Sequence, residues 1–356
     1  MKILYIANIR IPTEKAHGIQ IMKMCEAFSN LGNSVMLVVP RRRNYIKDDP
    51  FMYYGVKKNF SIKILPTLDL VRFGRIGFLI QSISFSVTSF IYFIFNKPDV
   101  IYSRDELSIW IFCFLKINTV YEAHMPRFNF IIRKFTKIVA ISNGLKNFYI
   151  GKKVSKNKIS VARDAVDLEN FDIPVNKEDI RKKLGIPSGK PVVMYIGLLD
   201  PWKGVETLLK ASQLIPEVTV VVVGIGSQLN KFKKEYTNSI FLGYTPYRDL
   251  PYNQKAADVL IVPNSGKSDV SRFYTSPLKV FTHMASGIPI VASDLPSIRE
   301  ILNEKNSTLV EADNPEALAI GIKYALSKDG HNALEDVKMN TWTHRAEKIV
   351  NFIEDI

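Results

Sequence analysis

Residues 218–224, Val-Thr-Val-Val-Val-Val-Gly, decide the fold class of this 356-residue chain. A strand with one face in water alternates apolar and polar side chains, whereas this run is apolar on both faces. Strands of that kind belong to parallel sheets that helices cover on both sides. The stretch therefore predicts an α/β fold with a doubly wound sheet.

Similar β-rich runs recur along the whole chain, separated by helix-length segments such as 18–31 and 105–115. In the first half they lie at 2–8, 34–40, 61–67, 99–104, 119–124, 137–142 and 159–164. In the second half they lie at 192–197, 218–224, 240–244, 259–263, 289–294 and 308–311. This rhythm predicts two doubly wound Rossmann-like domains in tandem, with a central cleft at the carboxyl ends of their strands.

Three segments follow from this pattern. We assign residues 1–168 to a first domain and 169–340 to a second, since 166–190 carries the prolines and glycines of a connection. Residues 341–356 form an amphipathic helix that is a candidate to pack back on the first domain.

The charge is distributed unevenly between the two halves. Residues 1–165 contain 26 basic and 10 acidic side chains, whereas residues 166–356 contain 22 and 24. A basic half favours an anionic partner, such as a phospholipid surface or an anionic acceptor; the alternative is charge that only keeps the chain soluble. Nucleic acid would also fit the charge, but no recognised binding module is visible, so we expect no nucleic-acid partner.

Cysteine usage and the N-terminus point to the cytoplasm. Cys25 and Cys113 are too few for a disulfide framework or a four-ligand metal site, which favours a reducing compartment. The opening apolar run has only the length of a strand, and no cleavage-site pattern follows it, so a signal peptide is not expected.

Residues 76–95 contain 13 large apolar or aromatic side chains, no charge, and a seam of small and polar residues. The segment precedes a predicted strand, at the place where a βαβ unit has its crossover helix. A buried helix, an interfacial helix and a membrane-spanning helix are the three interpretations. Basic flanks, Arg72, Arg75 and Lys97, favour contact with an anionic membrane surface.

Several motifs, in order, resemble the retaining GT-B glycosyltransferases of family 4, also called glycosyltransferase group 1. Residues 7–35 consist of a polar loop that ends in His17-Gly18 and a helix that follows it, and they are similar to the family's first element. The segments 158–171, 194–211, 221–228, 241–264 and 276–302 are similar to its interdomain crossing and donor-binding core. The resemblance implies a GT-B fold, a nucleoside diphosphate sugar as donor, and neither cofactor nor metal.

The resemblance also implies a set of donor-site residues. A diphosphate needs cations, backbone amides and glycines that permit close approach, and Lys203-Gly204 at a strand-to-helix turn supplies such groups. Lys203 is a candidate catalytic residue for the same reason. The predicted donor-binding residues are Gly197, Lys203, Gly204, Gly224, Gly226, Tyr244, Ser276, Pro277, Leu278, Lys279 and Thr282.

In the first half, His124 ends a strand and is the second candidate catalytic residue, with Glu122 either orienting it or only flanking it. Candidate acceptor-binding residues are His17, Gly18 and Arg104. Asp164 and Asp167, at the crossing between the halves, are interpreted as hinge or turn residues.

The chain departs from the family pattern at three positions. Leu198 stands where the family has an arginine, and Tyr274 and Thr282 stand where it has two glutamates. A lysine does not reproduce the bidentate geometry of a guanidinium. The Thr282 hydroxyl can make one hydrogen bond to a ribose where a carboxylate can accept two.

The sequence thus predicts a retaining, metal-independent glycosyltransferase with a glycan or lipid-linked acceptor, in the cytoplasm or on the inner face of the membrane. The three departures keep two alternatives open: a catalytically impaired GT-B scaffold or partner subunit, and a nucleotide-sugar epimerase.

Overall fold

The computed structural model describes residues 1–115 and 117–354, which divide into two compact units. One unit consists of Met1–Arg163 together with the segment Trp342–Ile356, and the other is Asp164–Thr341. Each unit contains one parallel sheet, so the α/β fold class predicted from the apolar runs is confirmed.

The sheet of the first unit has seven parallel strands in the order β3-β2-β1-β4-β5-β6-β7. Its strands are β1 Lys2–Ile6, β2 Ser34–Pro40, β3 Ser61–Leu65, β4 Val100–Ser103, β5 Asn118–Ala123, β6 Lys137–Ala140 and β7 Ile159–Val161. Its helices are α1 Ala16–Asn30, α2 Pro50–Tyr54, α3 Gly74–Asn96, α4 Glu106–Ile109 and α5 Asn143–Gly151. The strand order reverses between β1 and β4, the position at which open α/β sheets bind ligands.

The sheet of the second unit has six parallel strands in the order β10-β9-β8-β11-β12-β13. Its strands are β8 Val192–Ile196, β9 Thr219–Val223, β10 Ile240–Gly243, β11 Val259–Val262, β12 Ile290–Ser293 and β13 Thr308–Val310. Its helices are α6 Lys177–Lys183, α7 Val205–Leu214, α8 Leu229–Glu235, α9 Leu250–Gln254, α10 Leu278–Ser286, α11 Pro296–Arg299, α12 Pro315–Ala325 and α13 His331–Val337. Its order reverses between β8 and β11.

Apolar clusters on both faces of the second sheet explain why 218–224 is apolar throughout. Val220 and Val222 join one cluster beneath α7 and α12, and Val221 and Val223 join another on the opposite face. Successive side chains of a strand point to opposite faces, so a strand buried on both sides needs apolar residues at every position.

The last helix, α14 Trp342–Glu354, packs against α1 of the first unit. Its buried residues Trp342, Ala346, Ile349 and Ile353 recur at helical spacing, and Arg345 lies among them. This helix brings a charged side chain from the end of the chain into the first unit.

The segment 105–115, predicted as one helix, is divided in the structure. Asp105 caps the short helix α4 by accepting a hydrogen bond from the Leu107 amide at 3.2 Å, and a 3-10 turn, Trp110–Phe114, follows. The single-helix expectation is therefore wrong for this segment.

Helix α3 covers residues 76–95, and its inner side is the small polar seam, including Gly77, Gln81, Ser82 and Ser86. Most of its large apolar side chains are instead exposed, so the buried-helix interpretation holds only for the seam. By length and composition alone, Val71–Asn96 could cross a membrane, and only 28% of its most apolar stretch is buried; one such helix is weak evidence of a span.

Gly204 joins β8 to α7 at a point of close backbone approach. It adopts a left-handed φ of 70°, and a Cβ there would lie 1.7 Å from the carbonyl oxygen of Pro263. Only glycine fits this turn, because any side chain would push the loop away from the end of β11.

We predict that Gly204→Ala destabilises the protein more than Gly243→Ala. Gly243 has nearly the same φ, 76°, but open space around its Cβ position. Both variants carry the left-handed penalty of about 1–2 kcal/mol, and Gly204→Ala adds roughly 1–3 kcal/mol of steric strain. Equal free energies of unfolding in urea would show that the close approach to Pro263 is not constraining.

Candidate functional site

The carboxyl end of β8, beside β11, gathers most of the predicted donor-site residues. Gly197 follows β8 with φ 144°, and Gly224 follows β9 with φ 153°. A Cβ on Gly224 would lie 1.8 Å from the Gly197 carbonyl oxygen, so these two turns pack with backbone against backbone. Gly226 is also close to Leu199, since a Cβ on Gly226 would lie 2.8 Å from the Leu199 Cβ. The glycines let a ligand come close to the main chain.

The Lys279 ammonium is buried at this edge, and no residue that the structure describes supplies a counter-ion. Its Nζ lies 3.8 Å from the centroid of the Tyr195 ring and 3.0 Å from the position a Gly197 Cβ would take. Among the described residues, this Nζ has no hydrogen-bond partner. Burial, and then the charge of Lys203, holds the pKa of the Lys279 ammonium well below its usual range. A buried cation of this kind is costly until an anion joins it.

Lys203 lies in the turn before α7 and is electrostatically coupled to Lys279. Its Nζ packs 3.6 Å from the centroid of the Trp202 ring. Burial lowers the pKa of Lys203 to about 8, against the opposing influence of Asp200. Both ammonium groups are largely removed from water, and the charge of Lys203 acts on Lys279. Together they can bind a doubly charged group such as a diphosphate.

The start of α10 places four more predicted residues at this edge. Pro277 is the N-cap, Leu278 and Lys279 begin the helix, and the buried Ser276 hydroxyl accepts a hydrogen bond from the Asp164 amide at 3.1 Å. The first amides of a helix have no partner within the helix and favour anions.

Thr282 is buried one turn into α10. Its hydroxyl donates to the Lys279 carbonyl at 3.0 Å and accepts from Gln254 Nε2 at 3.2 Å. A ribose hydroxyl would therefore have to displace an existing hydrogen bond of Thr282.

Tyr244, which follows β10, and Leu198 are both exposed. The Leu198 carbonyl accepts a hydrogen bond from the Tyr195 hydroxyl at 2.7 Å. Tyr274 lies in the single π-helical turn Val270–Tyr274.

In the first unit, His124 follows β5 and is held by Glu122. Its Nε2 lies 2.6 Å from Glu122 Oε1. Burial, with Arg104 nearby, lowers the pKa of His124 to about 4, so the ring is neutral at pH 7. An ionised carboxylate only accepts, so Nε2 carries the proton and Nδ1 is left as an acceptor.

Glu122 is fully buried and heavily hydrogen-bonded. Gln20 Nε2 donates to its Oε1 at 2.6 Å, Arg345 Nη2 donates to the same oxygen at 2.9 Å, and the Tyr102 hydroxyl donates to Oε2. Although burial acts to raise the pKa of this carboxyl, the charge of Arg345 and the bond from His124 hold it well below its usual range. Glu122 thus orients His124, one of the two roles that the sequence left open.

The candidate acceptor residues His17 and Arg104 lie on the same side of the first sheet. Arg104 Nη1 donates to Gln20 Oε1 at 2.7 Å, which joins it to the Glu122 network. Burial, followed by the charge of Arg104, lowers the pKa of His17 to about 3. Gly18 has a packing role: a Cβ there would lie 2.2 Å from the Tyr54 hydroxyl.

Sequence reasoning missed Asn264 and Arg345. Asn264 follows β11, is fully buried, and neither of its amide atoms has a partner among the described residues. Its position at a strand end was the available signal. For Arg345, the signal was an arginine on the apolar face of an amphipathic helix. Among the residues described, no group of His, Cys, Asp and Glu could hold a metal ion.

Comparison with known families concerns mainly the second unit. Residues 176–342, nearly all of the second unit, match the family model described as glycosyl transferases group 1. The second unit belongs to that family. The family expected from the motifs of 194–302 is therefore confirmed.

Relatives and solved structures extend the likeness to the first unit. An uncharacterised glycosyltransferase of Methanocaldococcus jannaschii is 23% identical over 84% of this chain and 81% of its own length. The UDP-Gal:alpha-D-GlcNAc-diphosphoundecaprenol alpha-1,3-galactosyltransferase of Escherichia coli is 28% identical over 50% of this chain. The match spans about half (48%) of that relative's length.

Two solved structures share the fold. Sucrose-phosphate synthase from Thermosynechococcus elongatus superposes with a TM-score of 0.80 at 18% identity, covering 100% of this chain and 99% of that one. Anabaena HepE, in complex with UDP and glucose, superposes with a TM-score of 0.75 at 16% identity, covering 100% of both chains. The fold of the chain is the GT-B fold.

We predict that Arg345→Met lowers the free energy of unfolding by about 3–5 kcal/mol, because it leaves the Glu122 carboxylate buried without its cation. Lys348→Met, at an exposed position of the same helix, is the matched control and should change stability by at most ~0.5 kcal/mol. Both are measured by urea unfolding.

Combining Glu122→Gln with Arg345→Met should recover part of the loss, since no buried charge then remains unpaired. A double variant no more stable than Arg345→Met would contradict this electrostatic account of the network.

Proposed function

We propose that the chain is a retaining glycosyltransferase that moves a sugar from a nucleoside diphosphate sugar to a glycan or lipid-linked acceptor. One observation carries the proposal: the Lys279 ammonium is buried beside Gly197 and Lys203 with no counter-ion among the described residues. Donor diphosphate would supply the missing negative charge.

The relatives support both substrate classes. The Escherichia coli galactosyltransferase is named for a UDP-sugar donor and a diphosphoundecaprenol-linked acceptor. A second relative, from Xylanimonas cellulosilytica, is named a D-inositol 3-phosphate glycosyltransferase and is 28% identical over 50% of this chain and 45% of its own. A nucleotide-sugar donor and a phosphate-bearing acceptor are consistent with these names.

In the proposed reaction, the bond between the sugar carbon and the diphosphate oxygen breaks, and the acceptor hydroxyl forms a new bond to that carbon from the same face. The hydroxyl proton passes to the departing phosphate. Charge builds up on the diphosphate as the bond breaks, and Lys203, Lys279 and the first amides of α10 stabilise it. These groups supply the cations that the reaction needs, so we propose that no metal or cofactor takes part.

His124 would act as a hydrogen-bonding residue rather than as an acid. Its Nε2 is committed to Glu122, so Nδ1 can accept a hydrogen bond from a sugar hydroxyl. Since Glu122 is fixed by Gln20, Tyr102 and Arg345, the ring is oriented before substrate binds. Such preorganisation lowers the cost of positioning a substrate.

The first unit would bind the acceptor. Besides His17 and Arg104, the first unit has a pocket whose lining includes Arg10, Arg41 and Arg42, which follow β1 and β2. Arg10 is also paired with Glu14 at 2.5 Å, and Arg42 lies 3.6 Å from Asp69. Arginine side chains suit phosphate, which fits an anionic acceptor. We propose a location in the cytoplasm, on the inner face of the membrane where such an acceptor is lipid-linked.

The altered positions keep the impaired scaffold as a second candidate. Leu198 exposes an apolar side chain where the family has an arginine, and the Thr282 hydroxyl is already engaged. A scaffold would bind nucleotide weakly or not at all. An epimerase would convert a nucleotide sugar with no acceptor present.

We predict that UDP, GDP or ADP stabilises the chain against thermal unfolding and that Lys279→Met strongly reduces the shift for the preferred base. The methionine keeps the packing against Tyr195 but removes the cation. Loss of one charge-assisted bond to phosphate costs about 1.5–3 kcal/mol, roughly tenfold to a hundredfold in Kd. Isothermal titration calorimetry measures this change.

Lys267→Met is the control, because Lys267 is exposed in the loop after β11. It should bind as the unmodified chain does. Absence of binding for all three diphosphates would favour the scaffold, and turnover of a nucleotide sugar without acceptor would favour the epimerase.

We further predict that diphosphate binding weakens as pH rises above about 8. The pKa of unliganded Lys203 is about 8, so its binding-competent cation is lost above that pH. The nucleotide is already fully ionised there, since a phosphate's second pKa is about 6. Kd should rise by up to about tenfold per pH unit between the free and bound pKa values of Lys203.

Lys203→Arg stays cationic at these pH values and should flatten this part of the profile. A Kd independent of pH from 7.5 to 9.5 in the unmodified chain would exclude Lys203 from the diphosphate site.

A further inference from the structure

Helix α3 exposes its apolar side chains along its whole length. Ile76, Ile80, Ile83, Val87, Ile91 and Ile94 share one side of the helix, and we call this stripe the outward face of α3. Their exposed fractions run from 37% to 74%. Surface helices of soluble proteins normally bury such a stripe, so this exposed face needs something to cover it.

The opposite side of α3 is occupied by hydrogen bonds to the rest of the first unit. Ser82 Oγ accepts from Asn8 Nδ2 at 2.9 Å, Gln81 Nε2 donates to Asn8 Oδ1 at 2.8 Å, and Ser86 Oγ donates to the Leu107 carbonyl at 2.8 Å. A membrane-spanning orientation would break these buried bonds and place their polar groups in hydrocarbon. The outward face therefore remains available to a partner.

Neighbouring aromatic residues extend the exposed surface. Trp110 and Phe114 are exposed on the 3-10 turn beside α3, and Phe93 of α3 packs on Phe112 of that turn with 5.3 Å between ring centroids. Lys134 Nζ lies 4.4 Å from the Phe114 ring centroid. Tryptophan and lysine next to an apolar stripe are typical of the boundary between lipid headgroups and acyl chains.

The charges around the outward face are basic at both ends. Arg72 and Arg75 flank its beginning, Lys97 follows its end, and α3 itself contains no acidic residue. Asp69 is 3.6 Å from Arg42, and Asp99 accepts the Lys2 amide at 2.6 Å, so the nearest acids in sequence are already engaged. A second copy of this surface would bring cations against cations, whereas anionic headgroups complement them.

We propose that the outward face of α3 docks this protein on an anionic lipid bilayer, with the helix lying in the plane of the membrane interface. At 1.5 Å per residue, its 23 residues would extend about 34 Å along the surface. The proposal goes beyond the transferase activity, because it concerns a surface far in sequence from the donor residues and predicts where the enzyme works rather than what it transfers.

Co-sedimentation of the full chain with vesicles tests the docking. Vesicles of phosphatidylcholine with about one third phosphatidylglycerol should bind the chain, and phosphatidylcholine alone should bind it at least tenfold more weakly. Ile83→Glu combined with Ile91→Glu should reduce binding at least tenfold. Ile320→Glu combined with Tyr324→Glu, which adds the same two charges at exposed positions of α12 in the second unit, should leave binding unchanged.

Arg72→Gln combined with Arg75→Gln tests the electrostatic part. Each basic side chain near an anionic surface contributes about fivefold to the binding constant, so the pair should lose about 25-fold and the remaining affinity should depend less on salt. Unchanged binding in these variants, or equal binding to neutral vesicles, would overturn the anionic-membrane proposal.

Depth measurements distinguish the in-plane helix from a span. Single cysteines replacing Ile80, Val87 and Ile94, in a Cys113→Ser background, would carry a fluorophore quenched by lipids brominated at known depths; Cys25 is buried. Similar shallow depths for the three probes support the proposal, and a graded series through the bilayer overturns it.

Light scattering and the nucleotide-induced thermal shift distinguish membrane docking from dimer formation and from damage to the donor site. If Ile83→Glu with Ile91→Glu abolishes a dimer seen by light scattering without vesicles, a second copy covers the face and the proposal is wrong. The nucleotide-induced thermal shift, measured on the same variants, reports the donor site independently. A variant that loses vesicles but keeps the shift supports docking, whatever the fate of the proposed transferase activity.

Discussion

The desolvated cation of Lys279 is the constraint on which the donor edge depends. A lysine ammonium that loses water needs compensation by an anion or by hydrogen bonds, and the described residues offer it only the face of the Tyr195 ring. The surrounding glycines keep side chains away from the space beside it, since Gly197 and Gly224 meet backbone to backbone. The fold therefore holds a charge ready for a ligand, and the strain of that arrangement is relieved when the ligand arrives.

In the first unit, by contrast, the buried charge of Glu122 is fully hydrogen-bonded. Glu122 is fully buried, and so is the ammonium nitrogen of Lys279, yet Gln20, Tyr102, His124 and Arg345 all bind the Glu122 carboxylate. A buried ion whose hydrogen bonds are all made holds neighbouring side chains in place. A buried ion without partners gains free energy when a ligand of opposite charge binds. The contrast supports a structural role for Glu122, which holds His124, and is consistent with the proposed ligand-binding role of Lys279.

Helix α3 buries several of its polar side chains and exposes many of its apolar ones. Its polar seam is placed inside, where Asn8 and the Leu107 carbonyl satisfy it, and its apolar side chains are left in water. This arrangement costs free energy in solution and gains it only at an apolar surface. A protein whose acceptor is lipid-linked would benefit from such a helix, because docking confines enzyme and acceptor to the same interface.

The amino-acid sequence by itself determined the fold class and the position of every predicted strand, because burial on both faces of a parallel sheet leaves continuous apolar runs such as 218–224. It also determined that Lys203, Lys279 and His124 lie at strand or helix ends, where parallel sheets collect functional groups. Only the tertiary structure decided which buried charges are paired. Arg345 reaches Glu122 across 223 residues of sequence, and the seam of α3 turns inward because Asn8 is there to meet it. Local patterns record which residues prefer burial, but partners distant in sequence decide what each buried or exposed side chain contacts.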